Sequence, residues 1–161
     1  MRTRTPRGFS LLELLIVVAM IGILATLGIP KFRFIRDQNN VNAARARLES
    51  AVATARAAAI HKGRLGLFVM SGDWISVWTQ DPTTGFWQQQ MQWQDMSQVY
   101  PGIRLQAGGP GLTYVYYEPR GLTWASAKPP STLVFRVVGQ TKRDSVCVSR
   151  QGQLLPRGCA L

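Results

Sequence analysis

Histidine occurs once in this 161-residue sequence, at His61, and cysteine twice, at Cys147 and Cys159. That supply excludes a zinc finger, a histidine-rich metal site and a disulfide-dense scaffold. Acidic residues are also few: eight Asp and Glu stand against nineteen Lys and Arg, a formal net charge of +11. The acids are scattered, and no two sit at a spacing that suggests a paired-carboxylate active site. No serine has both a histidine and an acid beside it in sequence, so a nucleophilic triad finds no local support. An enzyme is the least supported class, and neither a metal nor a cofactor is expected. His61 reads instead as a partner for the negative end of a helix. Repeats and low-complexity segments are absent. What is abundant is apolar surface: 46% of residues are hydrophobic, enough for a packed core rather than a disordered chain. The length suits one domain with an appendage. The charge excess calls for an anionic partner or location.

The apolar residues concentrate near the N-terminus. Phe9 to Ile29 holds one charge, Glu13, with Ser10, Gly22, Thr26 and Gly28 as its other residues outside the strongly apolar set. As a helix it would span about 30 Å, the thickness of a bilayer core. Arg2, Arg4 and Arg7 precede it, and Lys31, Arg33 and Arg36 follow. The positive-inside rule, with a short leading flank, puts the N-terminal side in the cytoplasm. A secretory signal peptide has a shorter apolar region and a small-residue cleavage site. This run is longer and passes directly into Pro30 and basic residues. A plain anchor leaves Glu13 unexplained, because a carboxylate inside hydrocarbon costs roughly 2.5–3.5 kcal/mol on insertion scales.

The string Gly8-Phe9-Ser10-Leu11-Leu12-Glu13 resembles the prepilin-peptidase site of type IV pilins and type II secretion pseudopilins. Pro30 at the end of the apolar run matches the same pattern. The resemblance implies that a membrane prepilin peptidase cuts between Gly8 and Phe9 and that the new Phe9 amine is N-methylated. It further implies extraction from the bacterial inner membrane, through an assembly platform, into a filament of other pilin or pseudopilin subunits. Glu13 would then pair with the Phe9 amine of a neighbour, since a carboxylate buried among apolar helices needs a cation. Such a pair sets register between subunits as a buried polar group does in a coiled coil.

Residues 31–62 keep helix signals. Ala recurs, and Val41, Leu48, Val52, Ala55 and Ala59 form one apolar stripe, with Arg45, Arg47, Glu49 and Arg56 mostly off it. Gly63 is the expected C-cap. Pro30 is expected to kink a helix of about 50 residues rather than end it. Past Gly63 the period becomes two. Leu65–Met70 and Trp74–Trp78 read as strands around a Ser71-Gly72-Asp73 turn. Phe86 to Trp93 reads as a strand or a looser polar segment, with Gln88, Gln89, Gln90 and Gln92 in a surface loop. Leu112–Glu118, Leu122–Ser126, Thr132–Val138 and Ser145–Ser149 are further strand candidates.

The fold class is therefore α+β, a long helix on a small, mostly antiparallel sheet, which the resemblance makes the pilin-like fold. The expected segments are a leader at 1–8, a transmembrane and filament-core helix at 9–29, an amphipathic continuation at 30–63 and a soluble β-rich domain at 64–161. Tyr117-Glu118-Pro119-Arg120-Gly121 and the hairpin Val146-Cys147-Val148-Ser149-Arg150-Gln151-Gly152 resemble the GspH/FimT family of minor pseudopilins and minor pilins.

Cys147 and Cys159 are either two free thiols or a disulfide, which would persist outside the cytoplasm and contribute about 3 kcal/mol by tying down the tail. Basic residues gather toward the C-terminus. Lys142, Arg143, Arg150 and Arg157 form either a DNA-binding cluster or a solvated face attracted to inner-membrane lipid or acidic subunits. Trp74, Trp78, Trp87, Trp93 and Trp124 are expected mainly in the core, the alternative being an exposed partner patch at Trp87 or Trp93. The leading function is a structural one, a minor subunit of a secretion pseudopilus or a type IV pilus. The alternative is a minor pilin that captures DNA for uptake.

Overall fold

A computed structural model describes residues 10–107, 114–125, 132–149 and 151–155. They form one long helix, α1 (Leu11–Lys62), followed by β1 (Gly66–Ser71), β2 (Trp74–Gln80), β3 (Trp87–Asp95) and a short helix α2 (Met96–Val99). Then come β4 (Arg104–Ala107), β5 (Tyr114–Tyr117), β6 (Thr123–Ala125), β7 (Thr132–Val138), β8 (Arg143–Ser149) and β9 (Leu154–Leu155). The described strands make two antiparallel sheets, ordered β3-β2-β1-β5-β6 and β4-β7-β8-β9. The chain divides into two compact units between Arg36 and Asp37.

Within the second unit, the apolar stripe of α1 is the centre of the core. Val41, Leu48, Val52, Ala55 and Ala59 are buried as the sequence predicts, joined by Ala44 and Ala51. Four alanines on this face keep the helix surface low, so a strand can approach it closely. Gly66 opens β1 at that approach. A Cβ there would collide with the carbonyl oxygen of Ala55 and press on the Ala59 side chain. From the sheets, Phe68, Ile75, Val77, Val115 and Tyr117 meet Leu105, Phe135, Val137, Val146 and Val148 in the same cluster. Phe68 and Phe135 join the two sheets through an edge-to-face ring contact, centroids 5.4 Å apart at 81°, a favoured aromatic geometry.

The C-terminus of α1 ends as its glycine predicts. Gly63 takes φ +61°. Its N–H donates to Ile60 at 3.3 Å, and Arg64 N–H donates to Ala59 at 3.1 Å. These are the paired bonds of a Schellman motif. Pro30 lies inside α1, and the helix continues through it. The Ser71–Trp74 pairing closes a two-residue turn with Gly72 at φ +57°, a positive-φ hairpin suited to Gly.

Three expectations change. Gln88, Gln89, Gln90 and Gln92 are not in a loop: they belong to β3 and stay exposed there. Backbone pairing to β2 decides the structure of this segment, which has no apolar alternation to announce it. Tryptophans do not fill the described core. On β2 Ile75, Val77 and Thr79 are buried, as is the small Ser76, while Trp74 stays exposed and Trp78 half-buried. Trp93 is also exposed, and Trp87 leans on Tyr116 with ring centroids 5.9 Å apart. The expected single sheet is divided in two, and α2 and β4 lie between the strands that were foreseen.

Candidate assembly helix and its anchorage

The first unit is an exposed apolar helix. The described large apolar side chains between Leu11 and Ile29 face outward on all sides, with Leu11, Leu24 and Leu12 among the most exposed. A helix apolar all round suits lipid or a bundle rather than a surface. This one is long and apolar enough to cross a membrane. Ser10 caps its start. The Ser10 hydroxyl and carbonyl oxygens accept from the Glu13 N–H at 3.2 and 3.1 Å. Ser-x-x-Glu is a capping-box spacing, a signal in the sequence that points to the helix start independently of any cleavage site. Glu13 therefore sits in the first turn, exposed among leucines, where a carboxylate also complements the positive helix end. Farther along, Pro30 has no N–H to give the Thr26 carbonyl. The Thr26 hydroxyl donates to the Ile23 carbonyl at 2.7 Å.

Asp37 begins the second unit and ties α1 to the turn between β7 and β8. It is buried, 8% exposed. Its carboxylate accepts from the backbone N–H groups of Gln140 at 3.0 Å, Thr141 at 2.7 Å and Lys142 at 3.2 Å, and from the Thr141 hydroxyl at 2.6 Å. Burial pushes this carboxyl up, but the Thr141 hydroxyl and the three backbone donors outweigh it and hold the group below the usual carboxylate range. Gly139 makes the approach possible. A Cβ there would press on Asp37 Oδ1 and on Val41. Nothing local in the sequence announces this tie, because its partners are about a hundred positions away.

Three arginines extend the anchorage. Arg45 donates to Glu49 Oε1 at 2.9 Å and to both oxygens of Asp144 on β8 at 3.1 and 3.3 Å. Desolvation opposes the charge on Arg45, and these two carboxylates more than restore it, so its pKa is raised. Arg47 reaches Gln94 on β3 at 2.7 Å, and Arg56 reaches the Gly121 carbonyl at 3.2 Å. From Asp37 onward α1 is thus bonded to both sheets.

Of the other residues singled out in the sequence, Lys142 is half-buried and donates to Asn42 Oδ1 at 2.7 Å. Arg143 is exposed at the start of β8. Cys147 is buried in β8 and is not a free thiol. Gly8, Phe9, Arg150, Arg157 and Cys159 lie outside the described residues. No group of three or more metal-ligating side chains occurs among the described residues.

The family described as "Prokaryotic N-terminal methylation motif" matches residues 3–29. Two crystal structures of the type IV minor pilin FimU from Pseudomonas aeruginosa, in different crystal forms, resemble this fold over about three-quarters of the chain. One superposes with a TM-score of 0.56 at 14% identity, covering 75% of this chain and 90% of FimU. The other gives 0.52 at 15% identity, covering 71% and 92%. This is a pilin-like fold. The pilin-like chain carries the methylation motif at the head of its long helix, as the string from Gly8 to Glu13 implies. No curated protein sequence matches it.

Proposed function

We propose that this chain is a minor pilin or pseudopilin of the GspH/FimT kind, a structural subunit of a type IV pilus or a type II secretion pseudopilus. The observation that carries this reading is a single carboxylate, Glu13, held in the first turn of an apolar helix exposed on all sides. That helix continues into a firmly anchored pilin-like domain. In the membrane such a carboxylate lacks a partner, and in a filament it gains one. Prepilin peptidase cuts between Gly8 and Phe9, Phe9 is N-methylated, and its amine pairs with Glu13 of an adjacent subunit. The helix spans the inner membrane with its N-terminus cytoplasmic until the assembly platform draws it out. Pro30 marks the end of the filament-core stretch. Cys147 bridges to Cys159, the other cysteine of the chain, which fixes the C-terminal tail.

The test is incorporation. The Glu13→Ala variant should insert into membrane and be cut normally, yet incorporate poorly into filaments. Normal incorporation would sink the register argument. An uncut precursor is expected on mass measurement when Gly8 is replaced by a bulky residue, and full maturation there would refute the cleavage site. The alternative, DNA capture through Lys142, Arg143, Arg150 and Arg157, draws support from the exposed Arg143 but less from Lys142, whose ammonium is engaged by Asn42.

A further inference from the structure

The outer face of the four-stranded sheet holds charge that the fold does not use. Strand alternation turns Leu105, Phe135, Val137, Val146 and Val148 into the core, so the alternate positions face away from it. There Arg104 pairs across Val138 with Arg143, and Arg136 sits in the next same-face row between Gln106 and Ser145. Two strand spacings put Arg104 and Arg143 about 10 Å apart, with Arg136 one row, about 7 Å, along the strand. All three arginines are exposed. None makes a hydrogen bond or ion pair to another described residue. A groove of about 340 Å³ runs between Arg136 and Arg143 over Val138 and Ser145. Asp144 borders it, but its carboxylate is held by Arg45.

We propose that this face docks an acidic patch on a different protein chain. Charge complementarity is the first argument: three unpaired guanidiniums share one face, and each can take a carboxylate bidentately. Composition is the second. The cations are arginines, not lysines; the half-buried Val138 lies between Arg104 and Arg143, and the half-buried Val134 follows in the row beyond Arg136. Arg enriched and Lys depleted beside apolar surface is the pattern of protein interfaces. A DNA backbone fits less well, since three phosphate contacts fall short of the six to ten of strong binders. A second copy of this chain also fits poorly. Asp37, Glu49, Asp73, Asp81, Asp95 and Asp144 already accept internal bonds. Of the acids in the second unit, only Glu118 has a side chain without a hydrogen bond or ion pair to a described residue.

The experiment uses the full chain in a zwitterionic detergent, titrated with a labelled oligo-glutamate peptide and, separately, with labelled duplex DNA. One variant carries Arg104→Gln, Arg136→Gln and Arg143→Gln. A control removes equal charge elsewhere, through Arg33→Gln, Arg36→Gln and Arg120→Gln. The peptide should bind about tenfold more weakly to the sheet variant and nearly normally to the control, with affinity falling as salt rises. Replacing the three arginines by lysine keeps the charge and should give an intermediate loss. Equal loss in the control would reduce the effect to net charge and overturn the proposal. So would DNA binding more tightly than the peptide through the same arginines, or sedimentation showing self-association that the sheet variant abolishes. This titration is independent of filament incorporation, so its failure leaves the Glu13 reading standing.

Discussion

Replacing Asp37 removes the bond set that fastens α1 to the β7–β8 turn. Three backbone N–H groups and one hydroxyl lose a charged acceptor. A hydrogen bond to a charged group contributes about 1.5–3 kcal/mol when its loss leaves a buried group unsatisfied. Here the donors belong to Gln140, Thr141 and Lys142, which are exposed or half-buried, so water recovers part of each bond. The net for Asp37→Ala is therefore about 2–3 kcal/mol rather than the sum of four full bonds. In a domain of this size that lowers Tm by roughly 5–10 °C. Asp37→Asn keeps one acceptor oxygen and loses the charge, so it should fall between Ala and wild type. The carboxyl titrates below its ordinary 3.8 in the folded protein. Its contribution is complete above that value and disappears as pH falls through the lower folded value. Thermal unfolding followed by circular dichroism should show a constant gap between wild type and Asp37→Asn at neutral pH. That gap should begin to narrow below about pH 4 and close as pH falls through the lower folded value. A variant as stable as wild type at pH 7, or a gap that persists unchanged well below pH 3, refutes this account of the tie.

Gly66→Ala places a methyl against the Ala55 carbonyl, and overpacking at a rigid helix–strand contact should cost about 1–3 kcal/mol, read as a lower denaturant midpoint with unchanged slope. Tyr117→Phe should be neutral or stabilising. The phenol is fully buried and its hydroxyl has no partner among the described residues, so a Tm drop of several degrees would reveal a bond unaccounted for. Burial also pushes the Tyr117 hydroxyl far above the ordinary tyrosine range, so no tyrosinate absorbance from it is expected at alkaline pH before unfolding. Reducing agent should lower the Tm of the wild type by removing a Cys147–Cys159 bridge. An unchanged Tm would remove the bridge from the account.

The helix was legible because each of its signals is local. The Ala-rich stripe, the Gly63 stop and the apolar run all lie within a few residues of what they determine. The Ser71–Trp74 hairpin was legible for the same reason. The β2 face was not. Trp74 and Trp78 alternate with Ile75, Val77 and Thr79, and both sets are apolar enough to be a core. The small, β-branched set wins because it meets a low alanine surface on α1, a fact of tertiary packing. β3 hides behind glutamines whose exposed side chains say nothing of backbone pairing. α2 did leave a trace, since Asp95 accepts from the Ser97 and Gln98 N–H groups as an N-cap should. Asp37 and Arg45 left none, for their partners lie at Thr141 and Asp144. The arginine face was equally hidden, because Arg104, Arg136 and Arg143 share one face only once β4, β7 and β8 pair.

The division at Arg36 has a physical meaning for α1. Asp37, Arg45, Arg47 and Arg56 bond the later part of the helix to the sheets, while the described large apolar side chains between Leu11 and Ile29 stay exposed. Packing, more than propensity, stabilises most protein helices. The stretch before Asp37 carries β-branched Ile16, Val17, Val18, Ile21 and Ile23, which lower helix propensity in water. On the function proposed above, lipid or neighbouring helices stabilise it. On the proposed reading, the folded domain stays intact when that stretch changes partners, because the bonds from α1 to the sheets begin at Asp37. The same argument explains why losing Glu13 should leave the melting of the domain unchanged while disturbing assembly. Among the described residues, Asp37 is where the set of bonds from α1 to the sheets begins.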